Sequence, residues 1–484
     1  MSRPAVAVGA LACTLYVWSL PPGLGWWDTA EYQTVPYIAG ILHPTGFPAY
    51  TIAGWLFSHV FIAGNVAWRM SVMSALCVSS AAALLFDCAR RSGASWAAAA
   101  AAAAVFVTSD IMWVHATRAG VESLTLLFGA LALTNALAWH GTRAGAHFVR
   151  AGLFAGLAVA THPIAIWFLP GMAILVCTAR RPWQLRALAA AVAAFVAGLG
   201  FYAYLPLRSA AVTAAHLDPA ATILGVVGQP FWDYDHPATA AGFMRLVSGA
   251  DFGAGGTLRT LADAGRIPAY VVRFGAVIAA HIGWIGAFAA AGGVIANAPH
   301  RPIVLGLIAT AFLVIPFSLS YGVLVDADKY YLLLVWIAAL FAALGASAVP
   351  RLGPLPAMLL AAAAGFNFHN NAHLFEQRAE HNGAMVVADA LAATPEDAVI
   401  YAGWSYVTPL AYAAYVDHNM GSRIPVTNAP HADMVAWTRL RPVFYMPFPE
   451  NDLDVPGARL ELLANTYPKI YRVVPQRATG GVNP

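Results

Sequence analysis

The sequence predicts a mainly α-helical, polytopic membrane protein with about eleven transmembrane helices and a small C-terminal α/β domain. Hydrophobic residues make up 60% of the 484 residues and charged residues only 10%, far below the roughly 25% of an average soluble domain. The mean hydropathy is +0.65. Apolar segments recur as far as about residue 368, and the chain beyond them has the composition of a soluble domain.

Twelve apolar segments are candidates for membrane spans, judged against the ~20 residues that cross a bilayer. They are 4–20, 47–64, 69–88, 95–113, 121–139, 148–160, 163–178, 186–205, 270–297, 302–322, 329–348 and 353–368. Arginine and lysine near span ends stay on the cytoplasmic side. If 47–64 lies along the membrane surface and the other eleven segments cross, every later arginine cluster is cytoplasmic. Those clusters are Arg90–Arg91, Arg143 with Arg150, Arg180–Arg181 with Arg186, Arg301, and Arg351.

This topology collects the polar and titratable residues on the external face. They lie in four loops of the membrane domain 1–369 and in the tail 370–484; the loops are 21–68, 110–120, 206–269 and 321–329. Charged residues at membrane depth are costly and usually line a cavity or a pathway. The sequence therefore predicts a functional site at the external membrane boundary.

The tail 370–484 is predicted to be a soluble external α/β domain. "HNGAMVVADALAA" and "VTPLAYAAYVDH" have helical periodicity, and "DAVIYAG", "RPVFYMPF" and "KIYRVV" are typical of strands.

Several functional classes find no support in the sequence. The net charge of +3 comes from scattered residues, which argues against a nucleic-acid partner. The four cysteines lie in apolar spans without CxxC spacing, so neither disulfides nor a cysteine metal site is predicted. Motifs for nucleotide hydrolysis, zinc peptidases and serine hydrolases are missing. We expect no cofactor, and the sequence leaves a divalent-metal requirement open.

The first external loop, "GWWDTAEYQTVPYIAGILHPTGFPAY", carries the most suggestive residues. Asp28 and Glu31 have the spacing of a helix N-cap with a glutamate that reaches back, which is a purely structural interpretation. A capping acid at a membrane surface is also fixed in position for chemistry. His43 begins "HPTGFP", where two prolines and a glycine restrain the chain. A histidine beside a proline is otherwise most often a turn residue.

Several motifs in order resemble a known family of multi-pass membrane proteins. The motifs are the Asp and Glu of the first loop, the HPxGxP turn, "GLAVATHPIAIWFLP" (156–170), "YAYLPLRS" (202–209), "PFWDYDHPATAAGFMRLVSGADF" (230–252), "DADKYYLLLVW" (326–336) and "NFHNN" (367–371). The family was long labelled a domain of unknown function, and its vertebrate relative is an endoplasmic-reticulum protein O-mannosyltransferase. It belongs to the glycosyltransferase C-type fold superfamily.

This resemblance implies an inverting glycosyltransferase. It would move a sugar such as mannose from a polyprenyl-phosphate sugar to an acceptor hydroxyl of a protein or glycan on the external face. Asp28 is the expected general base, and Glu31 would orient it or contact the acceptor. The expected substrate-binding residues are His43, Arg118, Glu122, His162, Trp232, Asp235, His236, Asp326, Asp328, Lys329 and Tyr330. The alanine- and arginine-rich composition favours a bacterial inner membrane.

Each of these residues also has a structural interpretation. Arg118 would anchor a helix at the interface, Lys329 would pair with Asp326 or Asp328, and the histidines would bond to backbone beside their prolines. Trp232 and Tyr234 are expected to be flat surfaces for the donor or part of the headgroup belt.

One position departs from the family pattern, since Gly120 stands where the family has a glutamate. Glu122 lies two residues later, and it either replaces that acid or the acid is lost. A non-catalytic membrane scaffold remains an alternative to the enzyme. A transporter is a weaker alternative, because neither mid-helix polar residues nor an inverted repeat is evident.

Overall fold

The structure, a computed structural model, describes residues 1–178, 185–250, 263–320, 324–465 and 467–476. All twelve apolar segments contain helix. The α-helices up to residue 370 are Arg3–Trp18, Trp27–Thr34, Pro48–Val60, Val66–Arg91, Trp96–Thr108, Asp110–Thr117, Val121–Thr142, Gly145–Thr161, Leu169–Cys177, Leu185–Leu199, Tyr204–Ala214, Pro219–Leu224, Ala240–Ser248, Ile267–Ala296, Arg301–Phe312, Val314–Ser320, Leu332–Ser347 and Leu355–Asn370. Short 3-10 helices occupy Pro163–Phe168, Gly200–Ala203, Ala264–Arg266, Ala298–His300, Leu324–Tyr331, Pro350–Leu352 and Ala372–Ala379.

The helices make this a multi-pass membrane protein. Within the described ranges, six helices are long and apolar enough to cross a membrane, or seven if the bent pair Trp96–Thr108 and Asp110–Thr117 is one span. Three shorter apolar helices are Arg3–Trp18, Gly145–Thr161 and Pro163–Cys177. The number of eleven spans stays a prediction.

The segment 110–120, predicted as an external loop, is mostly helical. The extended backbone of Ser109 ends the helix Trp96–Thr108, and a new helix begins at Asp110 with an axis bent by 63° from the first. An acidic residue in the first turn favours a helix start there.

The helix Leu332–Ser347 lies at the centre of the membrane domain. It is apolar on every side, and nearly all of its residues are buried, as expected for a helix surrounded by other helices. Its Trp336 Nε1 donates to the Ala81 carbonyl at 2.8 Å. By contrast, the apolar helices Leu185–Leu199 and Ile267–Ala296 expose most of their side chains. Such faces are suited to lipid.

The C-terminal domain is α/β, as predicted. Its helices are Asn382–Ala393, Trp404–Tyr415 and His431–Trp437, and its strands are β1 (Val399–Ala402), β2 (Ile424–Val426), β3 (Val443–Met446), β4 (Ala458–Ala464) and β5 (Ile470–Pro475). The sheet order is β2-β1-β3-β5-β4, with β1 parallel to β2 and β3, and β5 antiparallel to β3 and β4. The two strands missed from the sequence are β2, which is only three residues long and contains Pro425, and β4 at the sheet edge.

The C-terminal domain packs directly on the first external loop. One hydrophobic core contains Tyr32 and Leu42 of that loop together with Val386, Ile400 and Tyr406 of the C-terminal domain. The two parts also approach closely along their backbones, since a Cβ on Gly383 would lie 2.0 Å from the Gly25 carbonyl oxygen. This packing places the helix Trp404–Tyr415 beside the helix Trp27–Thr34.

Candidate active site

A cavity of about 990 Å³ opens between four parts of the chain. The first external loop contributes Trp27, Asp28 and His43 to its lining, and the C-terminal domain contributes Trp404 and Asn428–Pro430. Parts of 226–245, within the predicted loop 206–269, form the remaining wall, and Lys329 also lines the cavity. The predicted loop thus folds over the site in its described part; residues 251–262 of it lie outside the description.

Asp28 lies in the first turn of the helix Trp27–Thr34 and faces the cavity. Its Oδ1 accepts a hydrogen bond from Trp404 Nε1 at 2.7 Å, and its Oδ2 lies 3.7 Å from Lys329 Nζ. The predicted capping role is wrong, because the helix begins one residue before Asp28 and Trp26 is its N-cap. The carboxylate is therefore available to the cavity instead of the backbone.

Glu31 is completely buried and binds His43. Its Oε1 accepts the His43 backbone N–H at 2.9 Å, and its Oε2 is bonded to His43 Nδ1. The expected orientation of Asp28 by Glu31 is therefore wrong, because both oxygens are used to hold the HPTGFP turn. Glu31 does not line the cavity. It is a positioning residue for His43.

The Glu31–His43 pair has shifted acid–base properties. Burial by itself lowers the pKa of His43, but the charge of Glu31 and the hydrogen bond between them outweigh burial and raise that pKa. Burial also raises the pKa of Glu31, and His43 offsets only part of this effect. The pair therefore holds a proton more firmly than a free imidazole does.

A second group of side chains, around His162, packs against the HPTGFP turn of the first loop. His162 stacks on Phe47 with 5.2 Å between ring centroids, and its Nδ1 accepts from the Ile164 N–H at 3.0 Å. The structural interpretation of His162, a backbone hydrogen bond beside its proline, is thus observed. His162, Glu122, Lys329 and Tyr330 line a small cleft of about 20 Å³, so Lys329 connects this group with the main cavity.

Glu122 occupies space beside the position where the family has its acid. A Cβ on Gly120 would lie 2.5 Å from Glu122 Oε2. The carboxylate thus lies against position 120, and the missing side chain there makes room for it. The replacement of the family acid by Glu122 stays a prediction.

The wall at 226–245 is built from paired polar side chains. His236 Nδ1 is bonded to Asp233 Oδ2 at 2.6 Å, and Arg245 Nε lies 3.4 Å from Asp235 Oδ1. The His236 side chain therefore bonds to a carboxylate, which differs from the predicted backbone hydrogen bond. Tyr234 lines the cavity as expected, and its hydroxyl accepts from Asn428 Nδ2 at 3.0 Å.

Three further predicted residues line neither the cavity nor the small cleft. Trp232 packs edge-to-face on Tyr415 at 5.5 Å, and its contact with the donor stays a prediction. Asp328 pairs with Arg273 at 3.0 Å. Arg118 is exposed outside the lining, as suits an interfacial anchor. The side chain of Asp326 lies outside the described part.

Sequence reasoning missed Trp404, Gln229, Arg245 and Asn428 as lining residues. Arg245 lies inside the family-like stretch 230–252, so that motif could have indicated it. Trp404 lies 376 positions after Asp28, and no sequence motif around it indicates a contact with Asp28. Within the residues that the structure describes, no three His, Cys, Asp or Glu side chains converge to hold a metal ion.

Two of the most similar curated relatives are named as O-mannosyltransferases. Mouse protein O-mannosyl-transferase TMEM260 is 30% identical over 215 residues, which cover 43% of this chain and 30% of the mouse protein. The Dictyostelium discoideum protein O-mannosyl-transferase tmem260 is 26% identical over 124 residues, covering 25% of this chain and 15% of that protein. The matched segments thus span less than a third of either relative.

Solved structures share the fold at low sequence identity. ArnT from Cupriavidus metallidurans, bound to undecaprenyl phosphate, has a TM-score of 0.56 at 13% identity, with 97% of each chain covered. Archaeal oligosaccharyltransferase AglB from Archaeoglobus fulgidus, in complex with an inhibitory peptide and a dolichol-phosphate, has a TM-score of 0.50 at 13% identity, covering 92% of this chain and 69% of that chain.

The chain thus has the fold of multi-pass membrane proteins of glycosyltransferase C type. Residues 28–186 match the family described as the protein O-mannosyl-transferase TMEM260 N-terminal domain. The resemblance predicted from the motifs is therefore confirmed over that segment, which contains Asp28, His43 and Glu122.

Proposed function

We propose that this protein is an inverting membrane glycosyltransferase that moves a hexose such as mannose from a polyprenyl-phosphate donor to an acceptor hydroxyl. The observation that carries the proposal is the contact between an acid and a cation at the rim of one large cavity. Asp28 Oδ2 lies 3.7 Å from Lys329 Nζ, and both residues line that cavity.

The two residues have complementary tasks. Transfer with inversion requires the acceptor oxygen to attack the anomeric carbon from the face opposite the leaving phosphate. Asp28 takes the acceptor's hydroxyl proton as general base. Lys329 stabilises the negative charge that develops on the departing phosphate, and Trp404 Nε1 fixes the orientation of the Asp28 carboxylate.

The substrates follow from the comparisons and from the chemistry of the cavity. The relatives are named as protein O-mannosyl-transferases, and the similar structures hold undecaprenyl phosphate in one case and a peptide with dolichol-phosphate in the other. A lipid-linked donor and a protein or glycan acceptor are therefore the substrates that we propose here.

We propose a bacterial inner membrane as the location, with the site on its external face, because the composition favours it. The two curated relatives, by contrast, come from mouse and Dictyostelium.

The variant Asp28→Asn tests the proposed function. Asparagine keeps the size of the side chain and an oxygen that can accept from Trp404, but it removes the proton acceptor. We expect transfer from a polyprenyl-phosphate hexose to fall by roughly two to four orders of magnitude, while Tm and donor binding change little. Asp328→Asn is the matched control, because Asp328 pairs with Arg273 outside the cavity lining.

A non-catalytic scaffold would give a different result. In that case wild-type protein shows no transfer, and Asp28→Asn leaves its cellular role unchanged. Full transfer by Asp28→Asn would instead remove Asp28 as the base and leave Glu122 as the next candidate.

A further inference from the structure

The cavity wall at 226–245 is held rigidly by its own backbone. Asp235 N donates to the Gly228 carbonyl at 3.1 Å and His236 N donates to the Asp233 carbonyl at 3.0 Å. Asp235 and His236 both have left-handed backbones, with φ of 59° and 53°. This turn brings Gln229 into the same wall as Asp235, His236 and Arg245. We call these four residues the loop wall.

Of the four residues of the loop wall, Gln229 gives the clearest indication of a ligand-binding site. The residue belongs to the cavity lining although it is only 7% exposed. The amide oxygen Oε1 is buried and has no hydrogen-bond partner within the described part of the chain. A buried acceptor without a donor is unfavourable, so this position suits a ligand that brings a hydrogen-bond donor.

His236 is oriented by a carboxylate behind it. Asp233 is 3% exposed, and its Oδ2 lies 2.6 Å from His236 Nδ1. Since a carboxylate accepts, Nδ1 carries the hydrogen, and Nε2 is the ring nitrogen left for a ligand in the cavity. Asp233 is thus a positioning residue.

The charges of the loop wall are compensated. Arg245 pairs with Asp235, and His236 pairs with Asp233. Such a surface presents several hydrogen-bonding groups without an excess of positive charge, which suits hydroxyl groups better than a phosphate. Lys329 lines the cavity beside Asp28, and its ammonium group suits the phosphate.

We propose that the loop wall is the subsite for the donor's sugar ring and that it recognises the hydroxyl groups of a neutral hexose. Gln229 Oε1 and the Asp235 carboxylate accept from sugar hydroxyls, and His236 Nε2 bonds to a further one. Lys329 holds the phosphate of the same donor. This assignment rests on the proposed function.

Binding of two lipids separates the subsites without any need for catalysis. The purified full-length protein is titrated with polyprenyl-phosphate mannose and with polyprenyl phosphate that has no sugar, and complexes are counted by native mass spectrometry. We expect Gln229→Leu to weaken binding of the sugar lipid about tenfold or more and to leave binding of the bare lipid unchanged. Lys329→Gln should weaken both.

Gln476→Leu is the matched control, because Gln476 is exposed in the C-terminal domain and outside the cavity lining. It should bind both lipids like the wild type.

Three results would overturn the assignment. If Gln229→Leu weakens the binding of both lipids equally, or of neither, the loop wall is not the sugar subsite. Equal affinity of the wild type for the two lipids would also contradict a sugar subsite, but it would not contradict the proposed function. A wild-type protein that binds neither lipid overturns the proposed function together with the subsite.

Discussion

Glu31 and His43 form a buried carboxylate–imidazole pair beside the cavity, and this pair gives the protein a specific pH dependence. The pKa of His43 is raised by the charge of Glu31 and by the hydrogen bond between them, in spite of burial. A histidine whose pKa is raised by folding stabilises the folded state fully below its ordinary pKa of about 6.5. That contribution is lost as the pH rises through the raised pKa.

His43→Gln should remove this dependence. We expect the difference in Tm between wild type and variant to be largest at about pH 6 and to shrink toward about pH 9, because wild-type His43 loses its proton in that window and glutamine has none to lose. Thermal unfolding of both proteins in the same detergent across this range measures it. A difference in Tm that is the same at every pH would show that His43 contributes by packing alone.

The loop wall depends on close packing between two elements. The helix Ala240–Ser248 crosses the 235–236 turn at Gly242, where a Cβ would lie 2.2 Å from the Asp235 carbonyl oxygen and 2.4 Å from that of His236. Real Cβ atoms do not approach oxygen so closely, so any other residue would push the helix away from the turn. Gly242 therefore fixes the position of the wall.

Gly242→Ala tests this packing. We expect the free energy of unfolding to fall by about 1–3 kcal/mol, as for other overpacked sites, and binding of the sugar lipid to weaken because the wall moves. Denaturant unfolding and lipid titration measure the two effects. Gly275→Ala is the control, because a Cβ there meets nothing within 4 Å and alanine favours helix. If neither the free energy of unfolding nor lipid binding changes in Gly242→Ala, the turn accommodates the added methyl group by a small shift.

For the whole molecule, the cavity belongs to both domains. The tail beyond residue 369 shares a hydrophobic core with the first external loop, and Trp404 from that tail bonds to Asp28. Two segments joined in this way must lie on the same side of the membrane. The predicted topology, with an external first loop and an external C-terminal domain, satisfies this condition.

Reporter fusions test the topology directly. A fusion after residue 90 should report the cytoplasm, because Arg90 and Arg91 close a span at its basic end. A fusion after residue 380 should report the external side. A cytoplasmic signal at the second position would contradict both the eleven-span arrangement and the external site.

The sequence by itself determined the elements that depend on local pattern. Apolar segments became helices, and "DAVIYAG" and "KIYRVV" became strands β1 and β5, because hydrophobic length and periodicity act over neighbouring residues. The grouping of Asp28, Glu31 and His43 in one loop was also visible, since these residues lie within 16 positions of one another.

Only the tertiary structure decided what those residues do. In the folded chain Glu31 bonds to His43 and not to Asp28. Trp404 and Lys329 lie beside Asp28, and Trp232 packs on Tyr415 outside the cavity lining. Each of these contacts depends on where the loops and the C-terminal domain pack against one another. No local pattern encodes that packing, because the free energy that fixes it comes from burial shared between segments far apart in the chain.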